Sequence, residues 1–257
     1  MIKVRVDEFS GTIELARPER RNALSRSMLK DLQQAFTDLH QEKKVRAVII
    51  TGSESCFCAG MDLHEMHATS IDESSQQQWH EDAMAYRDLL DQMLRFPKPV
   101  IAAINGPAIG GGAGLVCASD IVIAGNSARF GVPATKRGIV AGMVVPLVVF
   151  RIGAGQAANL MLAARMIDAA EALRLNLFHE TVDDQQVWVR ANQVAGECAA
   201  GAAEAIALTK RMLNEHIGEQ MMTLLTTGAA VTATSKTTEA AREGMAAFVE
   251  KREPEWP

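Results

Sequence analysis

Hydrophobic and polar positions alternate along the first residues of the chain and predict a β-hairpin. Residues 2–7 and 11–16 each alternate in this way, and Ser10-Gly11 between them is suited to a turn. A helix is predicted to follow Ser25, whose side chain can cap its first turn. The apolar positions of this helix recur every three or four residues and form one stripe: Met28, Leu29, Leu32, Ala35, Phe36 and Leu39.

Short apolar runs predict buried strands in the first half of the chain, at residues 46–51, 100–104 and 121–124. Residues 53–70 are interpreted as a polar connection, and residues 72–95 as a polar helix. From residue 142 onward the pattern is almost entirely helical, with candidate helices at 142–150, 154–164, 169–175, 186–199, 202–213 and 216–250. This order predicts an α/β fold with a helical C-terminal region, and the Gly196–Gly201 stretch is the best candidate for a boundary.

Composition and charge narrow the class of protein. The chain has 257 residues, of which 48% are hydrophobic and 22% are charged, so a disordered, collagen-like or coiled-coil protein is excluded. A net charge of -5 offers no basic excess for binding nucleic acid. Four cysteines make no disulfide framework in a chain of this length, and the N-terminus lacks an apolar signal core. The longest uncharged apolar run, residues 138–150, is too short to span a bilayer, so a cytoplasmic protein without membrane insertion is predicted.

Two glycine-containing turns follow predicted strands and supply the candidate chemistry. Residues 58–63 (CAGMDL) come shortly after the strand at 46–51, and residues 109–115 (IGGGAGL) come after the strand at 100–104 and open a helix. Glycine allows close approach of the backbone, and a helix N-terminus offers unpaired N–H donors. Two such donors that converge from separate loops would form an oxyanion hole, a site that stabilises a carbonyl oxygen as it gains negative charge.

Two other interpretations of these turns stay open at this point. The glycines could serve only to let a helix pack closely on a strand, which is the simpler explanation for either loop alone. A dinucleotide-dependent oxidoreductase would explain a strand, a glycine-rich turn and a helix, but its G-x-G-x-x-G pattern fails because Leu115 stands at the sixth position from Gly110. The chain also has no Walker A sequence and no G-x-S-x-G motif.

Several segments, in order and over nearly the whole chain, resemble the enoyl-CoA hydratase/isomerase (crotonase) superfamily: IELARPERRNALS, AVIITGSESCFCAGMDL, FPKPVIAAINGPAIGGGAGLVCASDIVIA, ARFGVPATKRGIVAG, MIDAAEALRLNLFHETV and REGMAAFVEKREP. The resemblance implies a crotonase-like spiral of ββα units over residues 1–198. It also implies a C-terminal helical region over residues 199–257 that mediates self-association as a trimer or a dimer of trimers. The partner is then an acyl-CoA thioester, and the backbone amides of Met61 and Gly111 form the oxyanion hole.

The resemblance also implies where coenzyme A binds. The backbone of Ala59, Met61, Asp62 and Leu63 would meet its adenine end, and Asp62 would tie that loop in place. The remaining candidates are residues near the first loop and on the last helix: Arg20, Arg21, His64, Phe248 and Lys251. Solvated surface charge is an equally good explanation for each of Arg20, Arg21 and Lys251, and packing within one amphipathic helix is an equally good one for Phe248.

Both glutamates that a hydratase of this superfamily uses are missing, because Gly114 and Ala134 stand at their positions. Residues 138–145 hold no titratable side chain and predict an apolar floor for the acyl group. A replacement base could come from the segment 64–91, whose candidates are His64, Glu65, His67, His80, Glu81 and Asp91. Asp91 has weak support, because it aligns with a histidine of a dehalogenating relative. His64 and His67 are too few ligands for zinc, so no metal and no cofactor beyond the coenzyme A of the substrate is expected.

Together these observations predict a lyase or isomerase that acts on acyl-CoA through an enolate and is poor at standard enoyl-CoA hydration. General acid or base residues each contribute about 10²–10⁴-fold, so the loss of two should leave hydration slow. A non-catalytic acyl-CoA binding or sensing protein is an alternative. A decarboxylase of malonyl-type thioesters is another, because that reaction needs stabilisation of the enolate but no protein base.

Overall fold

The structure, a computed structural model, describes residues 1–71 and 75–257, with the side chains of all of these except 215–219. The predicted hairpin is present: strand β1 (Ile2–Asp7) pairs antiparallel with β2 (Ser10–Leu15). The position predicted for its turn was wrong, because Ser10 and Gly11 pair with Asp7 and Val6 within the strands and the chain turns at Glu8 and Phe9. Helix α1 (Arg26–Gln41) follows, and the Ser25 hydroxyl accepts a hydrogen bond from the Met28 amide at 3.1 Å. Every residue of the predicted apolar stripe of α1 is buried, so both predictions are confirmed.

Among the described residues the strands form two sheets. The larger has six strands in the order β1-β2-β3-β4-β6-β9, in which the further members are β3 (Ala47–Gly52), β4 (Val100–Ile104), β6 (Ile121–Gly125) and β9 (Glu180–Val182). The smaller contains three short strands that the sequence pattern did not predict, β5 (Ala108–Ile109), β7 (Arg129–Gly131) and β8 (Met166–Asp168). Strands β2, β3, β4, β6 and β9 are parallel to one another. The three central strands β3, β4 and β6 have nearly continuous apolar runs, as expected for parallel strands that are buried on both faces.

The remaining helices are α2 (Leu63–Ser70), α3 (Ser75–Arg95), α4 (Gly111–Ala118), α5 (Val144–Leu162), α6 (Ala169–Arg174), α7 (Val187–Ala199), α8 (Ala203–Ser235) and α9 (Glu239–Glu250). The interpretation of residues 53–70 as a connection was wrong for 63–70, where the Asp62 side chain caps α2. The predicted helix 72–95 is present from Ser75, and residues 72–74 lie outside the described residues.

The C-terminal helices divide at a different place from the one predicted. Helix α8 continues through residues 214 and 215, where a gap was expected, and the chain instead breaks between Ser235 and Glu239. The Thr238 hydroxyl accepts a hydrogen bond from the Ala241 amide at 3.1 Å, so α9 starts with its own cap. This break lets α9 turn back and pack against α2.

One helix, α5, is long and apolar enough to cross a membrane when judged by length and composition alone. Gly153 adopts a non-helical conformation (φ 75°, ψ 159°) and divides it into two parts, close to the predicted break between residues 150 and 154. Leu147 in the first part and Leu160 in the second are buried in the main core. Phe150 and Leu162 remain exposed on its surface.

The larger sheet is covered on both faces. Val48 and Ile50 of β3 belong to the main core, which also contains side chains of α1, α3 and α4. Ala47 and Ile49, which point to the opposite face, pack in a second core with side chains of α7. The architecture is an α/β fold in which the loops after β3 and β4 leave the same edge of the sheet, since the two strands are parallel neighbours. The two glycine-containing turns lie in these loops.

Candidate active site

The two glycine-containing loops lie side by side and are joined by backbone hydrogen bonds. The Cys58 amide donates to the Pro107 carbonyl at 3.1 Å, and the Ile109 amide donates to the Cys58 carbonyl at 2.9 Å. Gly60 has a φ of +94°, and a Cβ atom there would lie 2.8 Å from the Ile109 carbonyl oxygen and 3.1 Å from the Gly111 nitrogen. Glycine is therefore required at residue 60 both by its backbone conformation and by the close approach of the second loop.

The amides of Met61 and Gly111 are unpaired and adjacent. The Leu24 amide donates to Gly60 O at 2.7 Å and the Asp62 amide donates to Leu24 O at 3.0 Å, so the Met61 amide points away from this pairing. Gly111 is the first residue of α4, where an N–H has no partner within the helix. Neither amide donates a hydrogen bond to any described residue. A Cβ atom on Gly111 would lie 3.4 Å from the Met61 nitrogen, so the two donors lie beside the same small volume. The backbone amides of Met61 and Gly111 are called the amide pair.

Asp62 fixes the loop that carries the Met61 amide. Its carboxylate accepts hydrogen bonds from the amides of His64 at 3.0 Å and Glu65 at 3.4 Å, and it accepts one from Arg17 Nη2 at 2.9 Å. The residue is only 4% exposed. Burial acts to raise the pKa of Asp62, but the Arg17 guanidinium and the two backbone donors outweigh it and lower that pKa below its ordinary value.

A cavity of about 440 Å³ opens beside the amide pair. Residues 139–144 supply much of its apolar lining, as the sequence predicts for this segment: Ile139, Val140, Ala141, Met143 and Val144. Ten of the predicted site residues also line it: Arg20, Arg21, Ala59, Met61, Asp62, Leu63, His64, Gly111, Ala134 and Phe248. The arrangement can hold an oxygen at the amide pair, an apolar group on the floor and an anionic group near Arg20 and Arg21.

Comparison with known proteins agrees with this geometry. The sequence pattern described as "Enoyl-CoA hydratase/isomerase" matches residues 10–257. The chain belongs to the enoyl-CoA hydratase/isomerase family. It is 31% identical over 245 residues to the short-chain-enoyl-CoA hydratase of Clostridium acetobutylicum, covering 95% of this chain and 92% of that protein.

Solved structures show the crotonase-like fold of this family. An enoyl-CoA hydratase from Bacillus anthracis superposes with a TM-score of 0.78 at 32% identity, covering 99% of this chain and 98% of that one. An enoyl-CoA hydratase/isomerase from Pseudoalteromonas atlantica T6c superposes with a TM-score of 0.86 at 28% identity, covering 100% and 99%. As a member of the enoyl-CoA hydratase/isomerase family, the protein is an acyl-CoA-processing enzyme.

Several predicted site residues of this family member do not line the cavity. Asp91 is one of them, because it faces another side of α3 and accepts a hydrogen bond from Arg95 Nε at 2.6 Å. Lys251 is exposed at the end of α9, where it takes a left-handed conformation with a φ of 56°. Of the other candidate bases only His64 lines the cavity; Glu65, His67, His80 and Glu81 do not.

Tyr86 covers Gly114, the first of the two positions without a glutamate, and the sequence pattern predicts no more for this tyrosine than a place in the helix 72–95. Tyr86 of α3 is buried, and its hydroxyl donates to the Gly111 carbonyl at 2.5 Å. A Cβ atom on Gly114 would overlap with this hydroxyl and lie 3.1 Å from Val144 Cγ2. Burial raises the pKa of Tyr86 well above its ordinary value, so the phenol stays protonated.

Two charged residues of the cavity wall, Asp82 and Lys236, were also missed. Asp82 lies on α3 between Trp79 and Tyr86, at the three- and four-residue spacing that places side chains on one helix face. The interruption of this apolar stripe by a carboxylate is the signal that could have identified Asp82. Lys236 comes from the end of α8, inside the segment 216–250 that the sequence pattern predicts as one uninterrupted helix.

The predicted C-terminal region contributes directly to this site. Thr232 and Lys236 near the end of α8 and Phe248 of α9 line the cavity of their own chain. The Phe248 ring contacts His64 edge-on with 6.2 Å between centroids, and the Arg137 guanidinium lies 4.9 Å from the Phe248 centroid. Phe248 thus faces the loop beside the amide pair and is not confined to packing within α9.

Proposed function

We propose that this protein binds an acyl-CoA thioester and stabilises the enolate form of its acyl group at the amide pair of Met61 and Gly111. The observation that carries the proposal is the presence of two adjacent, unpaired backbone donors beside an apolar cavity. Such donors cost no reorganisation during the reaction, and each is typically worth ~3 kcal/mol of transition-state stabilisation.

The coenzyme A part is proposed to lie across the cationic and aromatic side of the cavity. Arg20, Arg21 and Arg137 line it there and could meet the phosphates of coenzyme A, which the net charge of -5 would otherwise repel. Phe248, held between His64 and Arg137, offers an aromatic face for the adenine ring. The acyl group then extends over the apolar floor formed by residues 139–144.

We propose that the protein catalyses an atypical lyase or isomerase reaction and that it hydrates enoyl-CoA only slowly. Three carboxylates line the described part of the cavity, Glu19, Asp62 and Asp82. Asp62 is bound to Arg17 and Asp82 to Arg26, so neither is free to activate water. The Glu19 side chain is 66% exposed to solvent. A pair of unengaged carboxylates, which hydration by a general acid and base requires, is thus not found among these side chains.

The lack of a pair of unengaged carboxylates among the described lining residues also favours a second candidate reaction, decarboxylation of a malonyl-type thioester. That reaction breaks the bond to a carboxylate and leaves the electron pair on the enolate, so the amide pair alone provides the main stabilisation. Simple binding of acyl-CoA without turnover is the remaining alternative, and it needs the same cavity.

Self-association as a trimer or a dimer of trimers is part of this proposal. Helices α5 and α8 pack against each other, and both expose large apolar side chains: Phe150, Leu162, Leu208, Met212, Leu213, Leu224 and Val231. Exposed apolar side chains concentrated on two neighbouring helices support an interface between copies of the chain.

The deciding experiment incubates the purified protein with enoyl-, 3-enoyl- and malonyl-type CoA thioesters and follows products by mass spectrometry, with thermal shift as a binding assay. Gly111→Pro removes the N–H at a helix position that tolerates proline, while the control Gly111→Ala adds a Cβ atom but keeps the N–H. Conversion that falls by about 10²–10³-fold in the proline variant relative to the alanine variant supports the proposal. Hydration of crotonyl-CoA at an ordinary enzyme rate contradicts it, and a thermal shift without any product supports the binding alternative.

A further inference from the structure

A lysine ammonium group lies in the wall of the same cavity without a hydrogen-bond partner. Lys236 follows the last residue of α8 and is only 4% exposed. Its Nζ lies 4.7 Å from the centroid of the Trp79 ring, a distance that gives a favourable cation–π contact. No described residue accepts a hydrogen bond from this Nζ, and the side chain lines the cavity that contains the amide pair.

Asp82, the nearest carboxylate, is already engaged by other donors. Its two oxygens accept from Arg26 Nε at 2.7 Å and from Arg26 Nη2 at 2.8 Å. Oδ1 also accepts from the side-chain Nε2 of Gln78 at 2.8 Å. The bidentate contact with Arg26 compensates the charge of Asp82, so the charge of Lys236 has no counter-ion of its own.

The second buried lysine among the described residues shows how this chain satisfies such a group. Lys210 is 6% exposed, and its Nζ contacts Asp120 Oδ2 at 2.6 Å. The same Nζ donates to the carbonyls of Met93 at 3.1 Å and Lys98 at 3.2 Å. The Lys236 side chain instead lines the cavity without such acceptors, and this contrast with Lys210 points to a group that is supplied from outside the chain.

The protonation state of Lys236 fits the binding of an anion. Burial lowers the pKa of Lys236 to about 8, with Asp82 opposing this shift and Arg26 adding to it. The ammonium form therefore still predominates at neutral pH. Thr232, one helix turn earlier on α8, lines the cavity as well, and its hydroxyl oxygen accepts from the Gly142 amide at 3.0 Å. The Thr232 hydroxyl proton is donated to no described acceptor, so a second donor is available beside Lys236.

We propose that Lys236 binds a carboxylate at the far end of the acyl chain, so that the preferred substrate is an ω-carboxyacyl thioester of coenzyme A. This inference rests on the proposed function, because it assumes that the thioester oxygen lies at the amide pair. The floor of the acyl site formed by residues 139–144 is apolar, which suits the methylene groups between the two ends of such a chain. A single carboxylate would supply the acceptors that Lys236 lacks.

The position of Lys236 sets a lower limit on the length of the chain. Asp82 and Tyr86 are four residues apart on α3, which corresponds to ~6 Å along the helix axis. Tyr86 contacts Gly111 at the amide pair, whereas Asp82 and Trp79 lie on the side of Lys236. We therefore expect several carbon atoms between the thioester and the carboxylate, more than the single carbon atom that a malonyl group provides.

The test compares two thioesters of equal chain length, adipyl-CoA, which ends in a carboxylate, and hexanoyl-CoA, which ends in a methyl group. Their dissociation constants are measured by calorimetry at pH 7 for the wild-type protein, for Lys236→Met and for Lys30→Met. Methionine keeps an unbranched side chain against Trp79 without the charge. Lys30 is exposed on α1 outside the cavity and provides the matched control.

The wild-type protein and Lys30→Met are expected to bind adipyl-CoA roughly tenfold or more tightly than hexanoyl-CoA, and Lys236→Met to lose this preference. We also expect Lys236→Met to melt at a higher temperature than the wild type in the absence of ligand, because an uncompensated buried charge has been removed. Equal binding of the two thioesters by the wild type overturns the proposal even if Lys236→Met fails to fold. A preference that survives in Lys236→Met overturns it as well.

Failure of this inference is distinguishable from failure of the proposed function. If both thioesters bind the wild type equally, the acyl-CoA site stands and only the role of Lys236 is refuted. If neither thioester binds, the proposed function fails and the inference fails with it.

Discussion

The hydroxyl of Tyr86 occupies the space into which a side chain at Gly114 would have to extend. It is held there by its hydrogen bond to the Gly111 carbonyl at 2.5 Å, on the residue that also supplies one amide of the pair. Tyr86 and the glycine at residue 114 are therefore structurally coupled, because a larger residue at 114 cannot be accommodated while the tyrosine stays in place.

The first prediction concerns this coupling. Gly114→Ala should destabilise the fold by about 1–3 kcal/mol through overpacking against the Tyr86 hydroxyl. Tyr86→Phe should cost about 1 kcal/mol through loss of its hydrogen bond. In the double variant the added methyl group occupies the space left by the hydroxyl, so the combined loss should be smaller than the sum by roughly 1 kcal/mol. Urea unfolding of the four proteins measures this difference, and strict additivity would refute the coupling.

The sequence predicted the backbone chemistry of the site better than its side chains. The two glycine-containing turns were identified because such turns after strands have local signatures. The resemblance to the enoyl-CoA hydratase/isomerase family then assigned Met61 and Gly111 within them. Tyr86 and Lys236 have no local signature, because their roles depend on how α3 packs against α8, and these helices are far apart along the chain. Asp82 is marked only by its place within the apolar stripe of α3.

The boundary between α8 and α9 is a second feature that the local sequence pattern did not predict. The break after Ser235 depends on the cap that Thr238 gives to α9, while the surrounding alanines and threonines do not mark an end to the helical pattern. Asp91, by contrast, was selected by alignment with a relative. In this chain the same helix presents Asp82 and Tyr86 to the cavity, and Asp91 pairs with Arg95 elsewhere.

The second prediction concerns the pH dependence that Asp62 gives to stability. Its pKa is lower in the folded protein than the value of about 3.9 expected for an unfolded aspartate. Its contribution is therefore present in full above pH ~4 and is lost as the pH falls through the folded-state pKa. Asp62→Asn should lower the free energy of unfolding by about 2 kcal/mol at pH 7, because the charged contact with Arg17 is lost.

The measurement for Asp62 is denaturant unfolding from pH 7 down to pH 2. The difference between wild type and Asp62→Asn should shrink at the acid end of this range. Asp88→Asn is the control, because Asp88 pairs with Arg87 on the surface and should contribute little at any pH. A difference between wild type and Asp62→Asn that is independent of pH would contradict the role of the ionised carboxylate.

The third prediction is a stabilising substitution. Ala164 has a φ of 47°, a left-handed conformation that costs a residue with a Cβ atom ~1–2 kcal/mol. Ala164→Gly should raise the free energy of unfolding by about 0.5–1 kcal/mol, after allowance for the greater flexibility of glycine in the unfolded chain. Ala163→Gly is the matched control. Because Ala163 has an ordinary φ of -81°, the same change there should lower the free energy of unfolding. Equal effects of the two substitutions on the melting temperature would refute the argument from backbone strain.

The last prediction tests the apolar surface of α5 and α8. Leu162 is 77% exposed and Leu213 is 66% exposed, which is unfavourable for side chains of this size in a separate monomer. If these residues lie between copies of the chain, light scattering should give the wild type a mass that is a multiple of 27.8 kDa, and Leu213→Glu should reduce it. The introduced carboxylate would be buried without a partner at the interface, and a buried unpaired charge opposes association. Val4→Glu, on the exposed strand β1, is the control and should leave the mass unchanged, whereas a wild-type monomer would refute the assignment of this surface to self-association.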